Sequence, residues 1–254
     1  MIVDASLVAV VTGGASGLGA GTVAMLRAAG ATVTSVDLPG EAAERAAARA
    51  GAAFEPCDVA DAGAVAATVR RTVEAHGAPG LVVNCAGILP VGRTVGRDGA
   101  HDPATFARAV SVNLVGTFLV GSGFAAHMIG REPGEDGERG LIVNTASIAA
   151  TDGQVGQVAY AASKAGVAGM TLPMARDLAP LGVRVVTIAP GLFETPMVAG
   201  MSEEVRTSLI AQVPFPKRLG APADYAALVA HLAANRMING EIVRLDGAIR
   251  MGPR

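Results

Sequence analysis

The sequence predicts one doubly wound α/β domain spanning residues 1–254, on three observations. Short β-branched runs alternate with Ala-rich segments of helical length from one end of the chain to the other. Each run is apolar almost throughout, as strands are when both faces of a parallel sheet are covered. A glycine-rich turn, TGGASGLG, follows the first run directly and opens the first helical segment.

The elements follow in order. Strands are expected at 7–12, 31–37, 52–59, 81–86, 141–147, 183–189 and 241–245. Helices are expected at 18–29, 41–50, 62–76, 103–128, 155–179 and 223–234. Strands that alternate with helices in this way form βαβ units and a parallel sheet. Residues 89–102 and 130–140 are rich in Gly and charge and are expected as surface loops. Residues 192–212 follow the sixth strand, carry a helical pattern, and are expected as a binding loop or lid, or equally as a plain surface insertion.

Composition narrows the function. Apolar residues are 51% of the chain and charged ones 17%, enough for a large core, and with no Trp that core rests on Ala, Val, Leu, Ile and Met. Net charge is −2 with no Lys/Arg block, which argues against a nucleic-acid surface. Cys57 and Cys85 have no CxxC spacing and no His cluster, so neither a metal site nor a disulfide is expected. No targeting pattern and no uninterrupted apolar run of about 18 residues is seen. A cytoplasmic protein without a membrane partner is the expectation.

The glycine turn carries the first chemistry. Gly13, Gly17 and Gly19 let the backbone turn tightly and come close to a ligand, while free N–H groups at the helix start face a pyrophosphate. Asp37 ends the second strand, where a carboxylate accepts hydrogen bonds from both ribose hydroxyls and repels a 2′-phosphate. Leu38 follows it and no Arg or Lys stands near, which favours NAD over NADP. Asp58 and Val59, at the tip of the third strand, are placed for adenine. Asn84, Cys85, Ala86 and Gly87 end the fourth. There Asn84 is expected to bond across strands, and Cys85 to contribute backbone position without thiol chemistry.

The second piece of chemistry is SIAATDGQVGQVAYAASK. Tyr160 and Lys164 are four residues apart and share a helix face. An ammonium beside a phenol favours the phenolate, which can then exchange a proton with an alcohol or carbonyl. Ser147 ends an apolar run, at the strand tip where open α/β sheets place ligands.

TGGASGLG, Asp37, NCAG, Asn113, Ser147, Tyr160-x-x-x-Lys164 and Pro190-Gly191 together resemble the short-chain dehydrogenase/reductase family. The resemblance implies a Rossmann-type sheet in the order 3-2-1-4-5-6-7. It also implies a catalytic tetrad: Ser147 on the substrate oxygen, Tyr160 as acid or base, Lys164 lowering the Tyr160 pKa and bonding the nicotinamide ribose, and Asn113 holding a water. Within the family, QVPFPKRLG and NGEIVRLDGAIRM resemble the type 2 3-hydroxyacyl-CoA dehydrogenases, also called 17β-hydroxysteroid dehydrogenases type 10. This narrower resemblance implies interconversion of L-3-hydroxyacyl-CoA and 3-oxoacyl-CoA with NAD, in a homotetramer. It also implies cofactor contacts at Ser16, Leu18, Pro190, Gly191, Phe193 and Thr195, beside those at Asp37, Asp58, Val59, Cys85, Tyr160 and Lys164, and a pocket bordered by Gln154 and Gln157. Arg93 and Arg97 are expected as solvated arginines, with an approach to CoA phosphates as the alternative. Two other readings stand beside this one: the same chemistry on a hydroxysteroid or another secondary alcohol, and a non-catalytic scaffold on the same fold.

Overall fold

The computed structural model describes residues 1–97, 99–196 and 202–253. Seven strands form one sheet: β1 (Val8–Thr12), β2 (Thr32–Asp37), β3 (Ala53–Pro56), β4 (Leu81–Asn84), β5 (Gly140–Thr145), β6 (Val183–Pro190) and β7 (Ile242–Leu245). The spatial order is β3-β2-β1-β4-β5-β6-β7 and every neighbouring pair is parallel. This is the expected order. The direction of winding reverses between β1 and β4, whose registers pair Thr12 with Asn84, and a crevice opens beyond their C-terminal ends.

The helices are α1 (Gly17–Ala28), α2 (Glu41–Ala50), α3 (Ala62–His76), a long α4, α5 (Val158–Leu178), α6 (Glu203–Gln212) and α7 (Pro222–Ala234). Several start and stop where local chemistry directs. The Asp61 carboxylate accepts the Gly63 and Ala64 amides at the start of α3, and Gly51 ends α2 with φ 69°. Helices cover both faces of the sheet. Leu26, Tyr225, Val229 and Leu232 pack with β1 on one side, and Phe124, Met128 and Met174 pack with Val82 and Ile142 on the other. Each such side chain contributes roughly 1.5–3 kcal/mol when fully buried.

Four departures from expectation have local causes. β3 stops at Pro56 because its neighbour β2 ends at Asp37: Cys57 N–H still donates to the Asp37 carbonyl (2.8 Å), but Pro39 has no N–H to continue the ladder, so the chain leaves the sheet beyond Cys57. β4 stops at Asn84, before the small residues that turn toward the crevice. α5 begins at Val158, three residues later than expected, because Gly156 takes φ 88°. The 89–102 loop contains a small antiparallel hairpin, Val95–Gly96 with Gly99–Ala100, and Asp98 lies outside the described residues. The expected lid at 192–212 is described only in part, since 197–201 also lie outside.

α4 differs more. It consists of Pro103–Val110, a π-helical stretch Ser111–Gly116, and Thr117–Met128 in continuous succession. By length and composition it could cross a membrane, contrary to the expectation that no stretch would qualify, although half of its apolar 18-residue window is buried in the fold. It packs between α3 and α5 over the sheet.

Candidate active site

The glycine turn closes on the tips of its neighbours. Gly13 has φ 63°, and a Cβ there would stand 2.8 Å from the Ala86 nitrogen. A Cβ on Gly19 would overlap the Gly13 carbonyl. The backbone is thus packed as closely as glycine allows, which leaves the opposite side open. Ser16 precedes α1 with no side-chain cap, and no acidic residue lies in the first turn. The helix start therefore presents its N–H groups and positive dipole end to the crevice. The Asp37 carboxylate fastens this loop to β2: Ala15 N–H donates to Oδ2 (3.0 Å) and Leu38 N–H to Oδ1 (2.8 Å). Each oxygen keeps a lone pair for another donor.

Beyond β3, the Asp58 carboxylate accepts the Ala60 amide (3.0 Å) and pairs with Arg108 of α4 (3.0 Å). The amide, and then the guanidinium, hold it below the usual carboxylate range. At the end of β4, Asn84 is fully enclosed and its Nδ2 donates to Asn144 Oδ1 across the sheet (3.0 Å). The cross-strand bond is the expected one, but it turns the side chain inward. Asn84 does not line the crevice, so the expected cofactor contact through it is corrected to an interior tie between β4 and β5.

Cys85, one residue on, joins a closed set of buried groups. Its Sγ lies 3.7 Å from both Tyr225 Oη and Thr145 Oγ1, and those two oxygens are 2.8 Å apart. Burial pushes the Cys85 thiol up, which keeps it protonated at neutral pH and suits a packing role.

The reactive group assembles at the end of β5 and the start of α5. The Ser147 hydroxyl accepts the Ala149 amide (3.1 Å) and lies in hydrogen-bonding reach of Tyr160. Its own proton is thus left to donate. Lys164 is buried, and its ammonium donates to the Thr145 carbonyl (2.7 Å) while standing 5.9 Å from the centre of the Tyr160 ring. Burial pushes the Lys164 ammonium down to about 8. Burial likewise pushes the Tyr160 phenol up, and the Ser147 hydrogen bond offsets part of the rise. The expected lowering of Tyr160 by Lys164 is therefore absent from the protein alone. The Lys164 charge is itself disfavoured by burial, and the ammonium is directed at a main-chain carbonyl.

Asn113 occupies the middle of the π-helical stretch and is completely buried. Its amide accepts from Ile88 N–H (2.8 Å) and donates to the Ile88 carbonyl (2.9 Å) and to Ser163 Oγ (2.9 Å). Ser163 in turn donates to the Tyr160 carbonyl (2.7 Å). The side chain does not face the crevice, so it ties the strand-tip backbone after Gly87 to the helix that carries Tyr160 and Lys164. A Cβ at Gly87 would stand 3.1 Å from Asn113 Oδ1 and 3.4 Å from Lys164 Nζ, which shows how closely these parts meet.

The glycine turn, the strand tips and the Ser147–Tyr160–Lys164 group face one cleft of about 720 Å³, within the range of roughly 300–1,000 Å³ common for small-molecule sites. Gly13, Ser16, Gly17, Leu18 and Gly19 form one wall with Asp37, Asp58 and Val59. Cys85, Ala86 and Gly87 lie at the base, with Ser147, Tyr160 and Lys164 beyond them. Pro190, Gly191, Phe193 and Thr195 close the far side, with Thr195 against the position a Gly17 Cβ would take (3.2 Å). Gln154 and Gln157 line the cleft as well.

Sequence reasoning missed Arg108, Ile148, Leu209 and Met251, which also line it. Arg108 has the appearance of any arginine on an amphipathic helix, and Met251 closes the run NGEIVRLDGAIRM, which carried the resemblance but gave no place in the cleft. Arg93 and Arg97 are exposed on the hairpin segment and do not line the cleft. Among the described residues, no group of three or more His, Cys, Asp or Glu side chains could hold a metal ion.

The walls fit a dinucleotide: a cradle that a Cβ would fill, an open helix start for a pyrophosphate, and a carboxylate at the β2 tip for a ribose. Residues 7–206 match the family model described as short chain dehydrogenase. The chain belongs to the short chain dehydrogenase family, and is an oxidoreductase that works with a nicotinamide cofactor. Within that family it is 51% identical to the 3-hydroxyacyl-CoA dehydrogenase type-2 of Bos taurus over 251 residues, covering 97% of this chain and 96% of that one. The enzyme of the same description from Homo sapiens is 49% identical, with the same coverage. The crystal structure of 3-hydroxyacyl-CoA dehydrogenase type-2 from Mycobacterium avium superposes with a TM-score of 0.93 at 42% identity, covering 98% of both chains.

Proposed function

We propose that this enzyme interconverts L-3-hydroxyacyl-CoA and 3-oxoacyl-CoA with NAD. The observation that carries the reading is the Ser147–Tyr160–Lys164 group set in a dinucleotide-shaped cleft, in a chain half identical to 3-hydroxyacyl-CoA dehydrogenases over nearly its whole length. NAD, when bound, supplies or accepts the hydride at its nicotinamide ring. The remaining work belongs to the chain. Ser147 donates its free hydroxyl proton to the substrate oxygen. Tyr160, held protonated by burial at neutral pH, gives its proton to that oxygen as the ketone is reduced and takes it back in the reverse direction. The buried Lys164 ammonium would hold the nicotinamide ribose, and its charge, close to the Tyr160 ring, favours the Tyr160 phenolate. Asn113 keeps α5 and the β4 tip in register for these transfers.

The choice of NAD rests on Asp37. Its carboxylate accepts two backbone amides and faces the cleft, and among the described residues no Arg or Lys side chain pairs with it. A 2′-phosphate there would meet like charge at close range. A homotetramer is part of the proposal, supported by the exposed apolar side chains of Val115, Phe118, Val158 and Leu172 on α4 and α5. Sedimentation showing a stable monomer at micromolar concentration would count against it.

The test of the chemistry is label transfer. NADH carrying deuterium at both C4 positions of the nicotinamide, incubated with enzyme and acetoacetyl-CoA, should give L-3-hydroxybutyryl-CoA deuterated at C3. Unlabelled product would reject direct hydride transfer, and no product from protein that binds NADH would reject the acyl-CoA reading and direct attention to hydroxysteroids and other secondary alcohols.

A further inference from the structure

We propose that Met251 determines specificity: it is the fixed apolar wall that sets how long or how branched an acyl chain beyond C3 the cleft accepts. This rests on the acyl thioester reading above.

The cleft has two ends. One is marked by Asp37 and Asp58, and the reactive centre by Ser147 and Tyr160. What remains past the centre is lined by Gln154, Gln157, Leu209 and Met251. Met251 packs against the cluster of Ile148, Val213 and Ile249, and Ile148 is the residue next to Ser147. An apolar side chain one residue's reach from the group that holds the substrate oxygen is in place to touch whatever that carbon bears.

The wall is fixed, although it lies outside the helices and strands. Gln154 Nε2 donates to the Gly252 carbonyl (3.1 Å) and Val155 N–H to the Pro253 carbonyl (3.0 Å). On the other side, the Arg244 guanidinium donates to the Ile249 carbonyl (3.1 Å) and pairs with both Asp152 and Asp246. Met251 is thus held from both flanks. Gln154, expected as a substrate contact, uses its side-chain N–H on this segment, and the backbone N–H of Gln154 donates to the side-chain Oε1 of Gln157 (3.0 Å). The polar groups at this end serve mainly to hold one another and the segment, and the surface left for a substrate here is largely apolar.

The experiment compares kcat/KM for acetoacetyl-CoA, 3-oxooctanoyl-CoA and the C4-branched 4-methyl-3-oxopentanoyl-CoA with NADH in wild type, Met251→Ala and Met251→Phe. One methylene in an apolar pocket changes kcat/KM by roughly tenfold or more. Met251→Ala should raise the ratio of the longer and branched substrates to acetoacetyl-CoA by about tenfold, and Met251→Phe should lower it by about as much. NADH titration by fluorescence verifies that each variant is folded. If Met251→Ala does not fold, Gln154→Ala releases the Gly252 carbonyl, loosens the same wall, and should move the ratio in the same direction. Ratios unchanged from wild type in the folded variants would overturn the inference while leaving the acyl-CoA reading in place. A wild-type enzyme that reduces none of the three substrates would remove both.

Discussion

Lys164→Met should produce an inactive enzyme whose stability, relative to wild type, depends strongly on pH. Lys164 is only 4% exposed, and burial lowers its pKa from 10.5 to about 8. At about 1.36 kcal/mol per pH unit, holding the charged form costs the folded protein roughly 3 kcal/mol at neutral pH. The unfolded chain keeps the proton up to 10.5 and the folded one releases it near 8, so wild-type stability rises as pH climbs between those values and the full cost applies below 8. Methionine keeps the apolar stem and removes the charge. It also leaves the Thr145 carbonyl without its donor, a loss of about 1–3 kcal/mol that does not vary with pH. At pH 7 the variant should therefore match wild type or exceed it by up to about 2 kcal/mol. Between pH 7 and pH 10 the wild type should gain about 2–3 kcal/mol on the variant, or about 5–10 °C in Tm for a chain of this size. Urea unfolding of the cofactor-free proteins by far-UV circular dichroism at both pH values reads this directly. A difference that stays flat with pH would refute the claim that the Lys164 charge is held at a cost.

Tyr160→Phe should lower kcat by about 10²–10⁴-fold at neutral pH with NADH affinity retained, as measured by initial rates and fluorescence titration. Tyr225→Phe should destabilise the fold by about 1–2 kcal/mol in urea, because Thr145 Oγ1 then loses a buried partner at 2.8 Å. Gly13→Ala should weaken NADH binding by at least about tenfold and destabilise the fold by about 2 kcal/mol or more, since φ is 63° and the Cβ would meet Ala86. Gly40→Ala is the control, for a Cβ there meets nothing within 4 Å. Equal losses at both glycines would show that the close approach at Gly13 is not what requires glycine.

What was legible in the sequence is what local pattern determines. Runs of β-branched residues marked the strands and the family resemblance implied their order, and all seven appear near where expected, shortened at the C-terminal ends of β3, β4 and β5. The i, i+4 spacing of Tyr160 and Lys164 and the position of Ser147 past a strand placed the reactive group without any tertiary information. What stayed hidden depends on partners far apart in the chain. The bond between Thr145 and Tyr225 spans 80 residues, and that between Asn84 and Asn144 spans 60. No periodicity reports that Asn84 turns into the sheet, or that Lys164 directs its ammonium at a main-chain carbonyl. The π-helical stretch around Asn113 is equally silent, since VSVNLVG suits an ordinary helix. Such stretches recur at functional sites. Here it carries the side chain that joins the strand tip to α5.

The most direct test of the account is the initial rate of acetoacetyl-CoA reduction with NADH against NADPH, for wild type and Asp37→Ala. The account predicts fast turnover with NADH and little with NADPH in the wild type. In the variant the preference should shrink, because the carboxylate that faces the 2′ position is gone. Equal use of both cofactors by the wild type, or a preference untouched by Asp37→Ala, would contradict it.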